Sequence, residues 1–118
     1  MEGVYKKILR AADPTHMSVL EQMHVPVIEP PDSVAPGEMF AVTVKVGQIP
    51  HEMEPGHYVQ YVDLYAGAAF MARASFTPTG PRPKITYCLV LDESTSLRAV
   101  AFCNQDGFWE SERWINVR

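Results

Sequence analysis

From residue 39 the chain reads MFAVTVKVG, with apolar side chains at every second position: Phe40, Val42, Val44 and Val46 alternate with Ala41, Thr43 and Lys45. A period of two sends one row inward and the other toward water, so this stretch predicts a sandwich strand. Similar runs lie at 57–67 (HYVQYVDLYAG), 69–76 (AFMARASF), 84–92 (KITYCLVLD), 96–103 (SLRAVAFC) and 112–118 (ERWINVR), and VPVIEP supplies a short earlier one. The intervening PPDSVAPGE, GQIPHEMEPG, TPTGPRP, DESTS and NQDG carry the residues that turns require. Seven short strands with turns at this spacing predict an all-β fold, a seven-stranded immunoglobulin-like β-sandwich.

Helical geometry is expected only in the first twenty-odd residues. Asp13-Pro14 is a good helix start, and Ser18-Val19-Leu20-Glu21 has the S-x-x-E form of a capping box. Any helix is short, because His24-Val25-Pro26 turns the chain to extended geometry. The predicted organisation is one domain over 1–118, with a partly helical N-terminal segment (1–23) and a sandwich (24–118). At 118 residues the chain can close a single hydrophobic core without disulfide staples. Ten prolines and seven glycines also fit many turns and few long helices.

A net charge of -4 and a pI near 5.5 argue against a nucleic-acid or lipid-headgroup surface, since no basic cluster is present to neutralise phosphates. No stretch approaches the roughly 18 apolar residues of a membrane span, and MEGVYKKILRAADP lacks the apolar core of a signal peptide. A cytoplasmic location is the resulting expectation. In a reducing compartment, two cysteines read as a buried apolar thiol and a ligand or nucleophile rather than a disulfide. Cys88, within YCLVL, reads as core.

Three clusters of chemistry-bearing residues fall at strand ends: His24 before Val-Pro, His51 and His57 around the loop HEMEPGH, and Cys103 with Asp106 in FCNQDG. Imidazole, thiolate and carboxylate together are the ligands of a transition metal, and mixed nitrogen and sulfur coordination favours iron, zinc or copper over magnesium or calcium. His16 is left over in the N-terminal segment and reads as solvated. Trp109 and Trp114 read as packing residues near the sandwich end, with Trp109 also placed to wall off a metal.

Taken in order, HVPVIE, PHEMEPGH and FCNQDGFWE resemble the iron domain of the superoxide reductases, the neelaredoxin and desulfoferrodoxin family. That family's pattern is Glu-Lys-His-x-Pro, then His-Pro with a second histidine six positions after the first, then Cys-Asn-x-His-Gly. The resemblance implies an immunoglobulin-like sandwich holding one iron by four histidines and an axial cysteine, with an open sixth position for superoxide. It also implies reduction of superoxide to hydrogen peroxide with electrons from a small redox protein such as a rubredoxin. Carried over by position, His24, His51 and His57 match three of the histidines and Cys103 the axial thiolate. Zinc is the alternative occupant.

This chain departs from the pattern in four places. Asp106 stands where the fourth histidine belongs, so it either ligates through oxygen, leaves the metal with fewer protein ligands, or yields to another side chain such as His16. Met23 replaces the lysine that attracts superoxide in the family. Glu21 is the nearest counterpart of the family's sixth-position glutamate, one residue further from the histidine. Glu52 replaces the proline after the second histidine. A carboxylate in place of an imidazole removes the site's net positive charge, so an anionic substrate is attracted less. The departures therefore imply altered or weakened reductase activity; the alternative is a non-catalytic metal-binding or redox-sensing module. Exposed edge strands lead to the further expectation of a homo-oligomer.

Overall fold

The computed structural model describes residues 7–118, and in it all seven expected strands form. In chain order the elements are β1 (Ile8–Leu9), α1 (Val19–His24), β2 (Pro26–Glu29), β3 (Ser33–Val34), β4 (Met39–Val46), β5 (Val59–Ala66), β6 (Ala69–Ser75), β7 (Lys84–Val90), β8 (Thr95–Cys103) and β9 (Gly107–Val117). One sheet runs β1-β9-β8-β5-β6, with β3 also paired to β9; the other runs β2-β4-β7. The chain is an all-β, immunoglobulin-like sandwich of these two sheets.

The period of two in MFAVTVKV builds the inner face of the smaller sheet. Val42 and Val44 are fully buried, and Val62, Leu64, Leu97, Ala99 and Ile115 of the facing sheet are equally inaccessible. Each such valine or leucine contributes about 1.5–3 kcal/mol by leaving water, so this double row is where the sandwich gains its stability. Tyr87 crosses between the layers, its hydroxyl donating to the Val62 carbonyl at 2.9 Å.

Several local expectations are corrected. The alternation on β7 points Tyr87 and Leu89 inward, which sends Cys88 outward; it is an exposed free cysteine, not core. Trp114, on the solvent row of β9, is 60% exposed and is not a packing residue. The last strand begins at Gly107, five residues before the run at 112–118, because the turn is confined to residues 104–106 and Cys103 pairs with Gly107. Gly107 has φ 82°, a left-handed conformation that closes such a three-residue loop at little cost only with glycine. Ile8–Leu9 and Ser33–Val34 add two short strands, both parallel to β9. Residues 1–6 of the expected N-terminal segment lie outside the described residues.

Asp13-Pro14 does not start the helix; it lies in a turn, and Ser18 is the N-cap. The capping box is complete, with the Ser18 hydroxyl accepting from Glu21 N–H at 3.1 Å and Glu21 Oε1 accepting from Ser18 N–H at 2.8 Å. The six-residue helix ends at His24, and Pro26 opens β2. Gly47, just after β4, lies against this helix: a Cβ there would meet the Gln22 carbonyl oxygen and approach the Met23 carbonyl carbon to 3.0 Å. Gly47→Ala is therefore predicted to destabilise the fold by about 1–3 kcal/mol through overpacking. A urea unfolding midpoint unchanged from wild type would contradict that close approach.

Candidate metal centre

Strand register gathers the chemistry-bearing residues at one end of the sandwich. In the smaller sheet Pro26 pairs with Val46, so the end of α1 stands beside the end of β4; in the larger sheet Val59 pairs with Cys103, and Cys103 with Gly107. His24, His51, His57, Cys103 and Asp106 each sit within a few positions of these pairs. One ligand atom from each of the five lies within 4.8 Å of every other. Ligands on opposite sides of one ion, each about 2.0–2.3 Å from it, stand about 4–4.6 Å apart, so the cluster has the size of a single coordination sphere.

The imidazoles are turned by their outer nitrogens. His24 Nδ1 is 2.8 Å from the Leu20 carbonyl oxygen one helical turn earlier, and His51 Nδ1 is 2.6 Å from the Glu52 carbonyl oxygen. A carbonyl only accepts, so both Nδ1 atoms donate, and each neutral ring directs the lone pair of Nε2 inward. The two Nε2 atoms stand 3.1 Å apart. Between neutral rings this contact is not a hydrogen bond but two converging lone pairs, an arrangement that a cation resolves. His57 presents Nε2 to the same space, with its Nδ1 2.9 Å from Glu52 Oε1.

Asp106 closes the group. Its Oδ2 lies 3.0 Å from both His24 Nε2 and His57 Nε2, and 3.7 Å from Cys103 Sγ. Backbone N–H groups of Gln105 and Asp106 point at the Cys103 sulfur. In the metal-free chain burial dominates these donors and pushes the Cys103 thiol above its ordinary value of 9.0, while burial holds His51 below its ordinary 6.5. The donor set fits a borderline transition ion: burial favours the neutral imidazole at His51, and a metal stabilises the thiolate that burial disfavours.

The loops that carry the ligands are tied to one another. Asn104 Oδ1 accepts from Tyr58 N–H at 2.8 Å, and Asn104 Nδ2 donates to the Gly56 carbonyl at 3.1 Å, joined there by Gln105 Nε2 at 2.5 Å. Trp109, only 4% exposed, stacks on His24 with ring centres 5.1 Å apart and donates from Nε1 to the Asp106 carbonyl at 3.0 Å. It therefore walls the site and also holds the turn carrying Asp106.

Two of the candidates stay outside the cluster. Glu21 spends both carboxylate oxygens on main-chain N–H groups, those of Ser18 and of Ala12 at 3.0 Å. His16 is exposed, and its Nδ1 is occupied by Thr15 and Asp13. Glu52, Asn104 and Gln105 were not singled out from sequence as supports of the site. Their proximity in the chain to His51 and Cys103 is the only signal: Asn104 and Gln105 find their partners on another loop, and Glu52 reaches His57 across its own.

Residues 16–112 match the family described as Desulfoferrodoxin. The chain is 32% identical over 101 residues to a superoxide reductase of Pyrococcus horikoshii, covering 77% of this chain and 85% of that one. It also resembles the solved superoxide reductase (neelaredoxin) of Ignicoccus hospitalis with a TM-score of 0.83, 29% identity, and coverage of 94% of this chain and 95% of that one. The solved superoxide reductase of Nanoarchaeum equitans is similar as well, with a TM-score of 0.69, 29% identity, and coverage of 79% and 93%. The sandwich, the ligand cluster at its end and these relatives together place the chain in the desulfoferrodoxin family.

Proposed function

We propose that this chain is a mononuclear non-haem iron protein of the superoxide reductase type, held by His24, His51, His57, Cys103 and Asp106. The observation that carries the reading is the convergence of these five ligand atoms within 4.8 Å, in a member of this family. When bound, iron supplies one electron to superoxide, which takes up two protons to become hydrogen peroxide.

The chain's own residues set how well that works. The three imidazoles arrive with Nε2 already aimed inward, so little reorganisation accompanies metal binding. The N–H groups directed at Cys103 draw charge from its sulfur, a lever on the metal's potential. Asp106 adds a negative charge that an imidazole would not, and Met23 offers no cation, so the site attracts an anionic substrate weakly and favours the oxidised ion. Val19 and Leu20 on α1 and Ile49, two positions before His51, are exposed apolar side chains near the ligand-bearing segments, which suits docking of a small redox protein such as a rubredoxin as electron donor. The same carboxylate and missing cation favour a second reading, a metal-binding or redox-sensing module without turnover.

Pulse-generated superoxide mixed with the reduced, iron-loaded protein separates the two. The reductase reading predicts decay faster than with free iron, with peroxide formed, and a further rise of about tenfold or more in Asp106→His as the site regains positive charge. Decay no faster than with free iron, without peroxide, would sink it and leave the non-catalytic module.

Proton linkage gives a second expectation, for the metal-free protein. His51 has a depressed folded value, so its contribution to stability is complete above 6.5 and is lost as pH falls through that lower value. Cys103 has a raised folded value, so its contribution is complete below 9.0 and is lost as pH rises through the higher one. Urea unfolding across pH should show a maximum between these limits, with a shallower alkaline fall in Cys103→Ala. An alkaline limb identical in the two proteins would contradict burial of that thiol.

A further inference from the structure

Glu52 directly follows His51 and provides an acceptor to two of the three histidines. Its main-chain oxygen accepts from His51 Nδ1 at 2.6 Å, a bond that does not depend on the side chain at this position. Its carboxylate Oε1 lies 2.9 Å from His57 Nδ1, and that contact belongs to the side chain alone. A proline here, as in the family pattern given above, would leave it unmade.

The loop is shaped to make this second contact. Glu54 N–H donates to the His57 carbonyl at 3.1 Å and His57 N–H returns a bond to the Glu54 carbonyl at 2.9 Å, a tight turn that folds His57 back over residue 52. Asn104 and Gln105 hold the Gly56 carbonyl from the opposite loop. His57 also differs from its neighbours in needing such a contact. His24 and His51 are 2% exposed and locked by packing, whereas the His57 side chain is 22% exposed, at the solvent edge of the cluster. At that edge Glu52 Oε1 stands at Nδ1 and Asp106 Oδ2 at Nε2, 3.0 Å away, so side-chain carboxylates mark which nitrogen faces the cluster.

We propose that Glu52 is a positioning residue for the metal centre: its carboxylate accepts the Nδ1–H of His57 and so commits Nε2 to the metal. An imidazole that ligates through Nε2 carries its single proton on Nδ1, and a carboxylate accepting that proton fixes the ring orientation and strengthens the nitrogen donor. The other two rings give their Nδ1–H to neutral carbonyls, so His57 becomes the imidazole with a charged outer partner. The inference rests on the metal-centre reading given above but not on superoxide turnover.

Zinc provides the test, because it fills such a site without redox chemistry. Zn(II) affinity by chelator competition, and nitrogen NMR of the zinc-loaded chain, are measured for wild type, Glu52→Ala and Glu52→Gln. Glu52→Ala should bind zinc about tenfold or more weakly and lose the slowly exchanging Nδ1 proton of His57. Glu52→Gln, whose amide oxygen can accept the same bond, should recover most of the affinity and keep that proton, which a general loosening of the loop would not produce. Equal affinity in Glu52→Ala and wild type, or a wild-type His57 bound through Nδ1, overturns the proposal. Zinc binding that depends on Glu52, alongside no superoxide decay, supports it and overturns the reductase reading alone. Failure of wild type to bind zinc overturns both.

Discussion

Donating the Nδ1–H of His24 to the Leu20 carbonyl, and that of His51 to the Glu52 carbonyl, commits two buried Nε2 lone pairs to one small space. Lone pairs 3.1 Å apart in a dry environment repel unless something positive stands among them. The rest of the sandwich end is arranged around that constraint. The capping box sets where α1 starts and Pro26 opens β2 just after His24, and the Val59, Cys103 and Gly107 ladder brings a thiol and a carboxylate to the same space.

Burial of polar groups is costly without partners, and here every buried polar side chain among the described residues has one. Asp63, the other buried polar residue, is answered by a two-point contact from Arg73 at 2.6 and 2.8 Å, far from the cluster in the pairing of β5 with β6. The histidines differ because their inner nitrogens meet one another and the Asp106 carboxylate, not a main-chain group. Main-chain carbonyls that fix ring tautomers while the inner nitrogens converge are what the proposed metal centre requires.

Much of this was legible in the sequence, for identifiable reasons. Alternation such as Phe40, Val42, Val44 and Val46 reports directly which face is buried, and every predicted strand formed. On β7 the inward pair is Tyr87 and Leu89, so Cys88, expected as core from its apolar neighbours, faces solvent. Trp114 was misplaced because a large aromatic side chain was read as packing without regard to its row on β9. The ordered motifs brought His24, His51, His57, Cys103 and Asp106 forward, and the structure gathers all five. What the motifs could not express was the hydrogen bonding that non-local folding creates: Asn104 reaching Tyr58 and Gly56 on another loop, and Glu52 reaching His57 across the turn of its own. Glu21, the nearest counterpart of the family's sixth-position glutamate, instead bonds Ser18 and Ala12 N–H, an arrangement that depends on how the preceding loop folds back.

The proposed centre requires the Cys103 thiolate, three imidazoles and the Asp106 carboxylate, brought together from α1, β8 and two loops, to hold a single metal. The most direct test is iron content together with the visible spectrum of the oxidised, iron-loaded protein, for wild type and Cys103→Ala. One iron per chain with a thiolate-to-Fe(III) absorption band in wild type, and no such band in Cys103→Ala, is the predicted result. Wild-type protein that retains no iron, or a band that survives loss of the Cys103 sulfur, would contradict it.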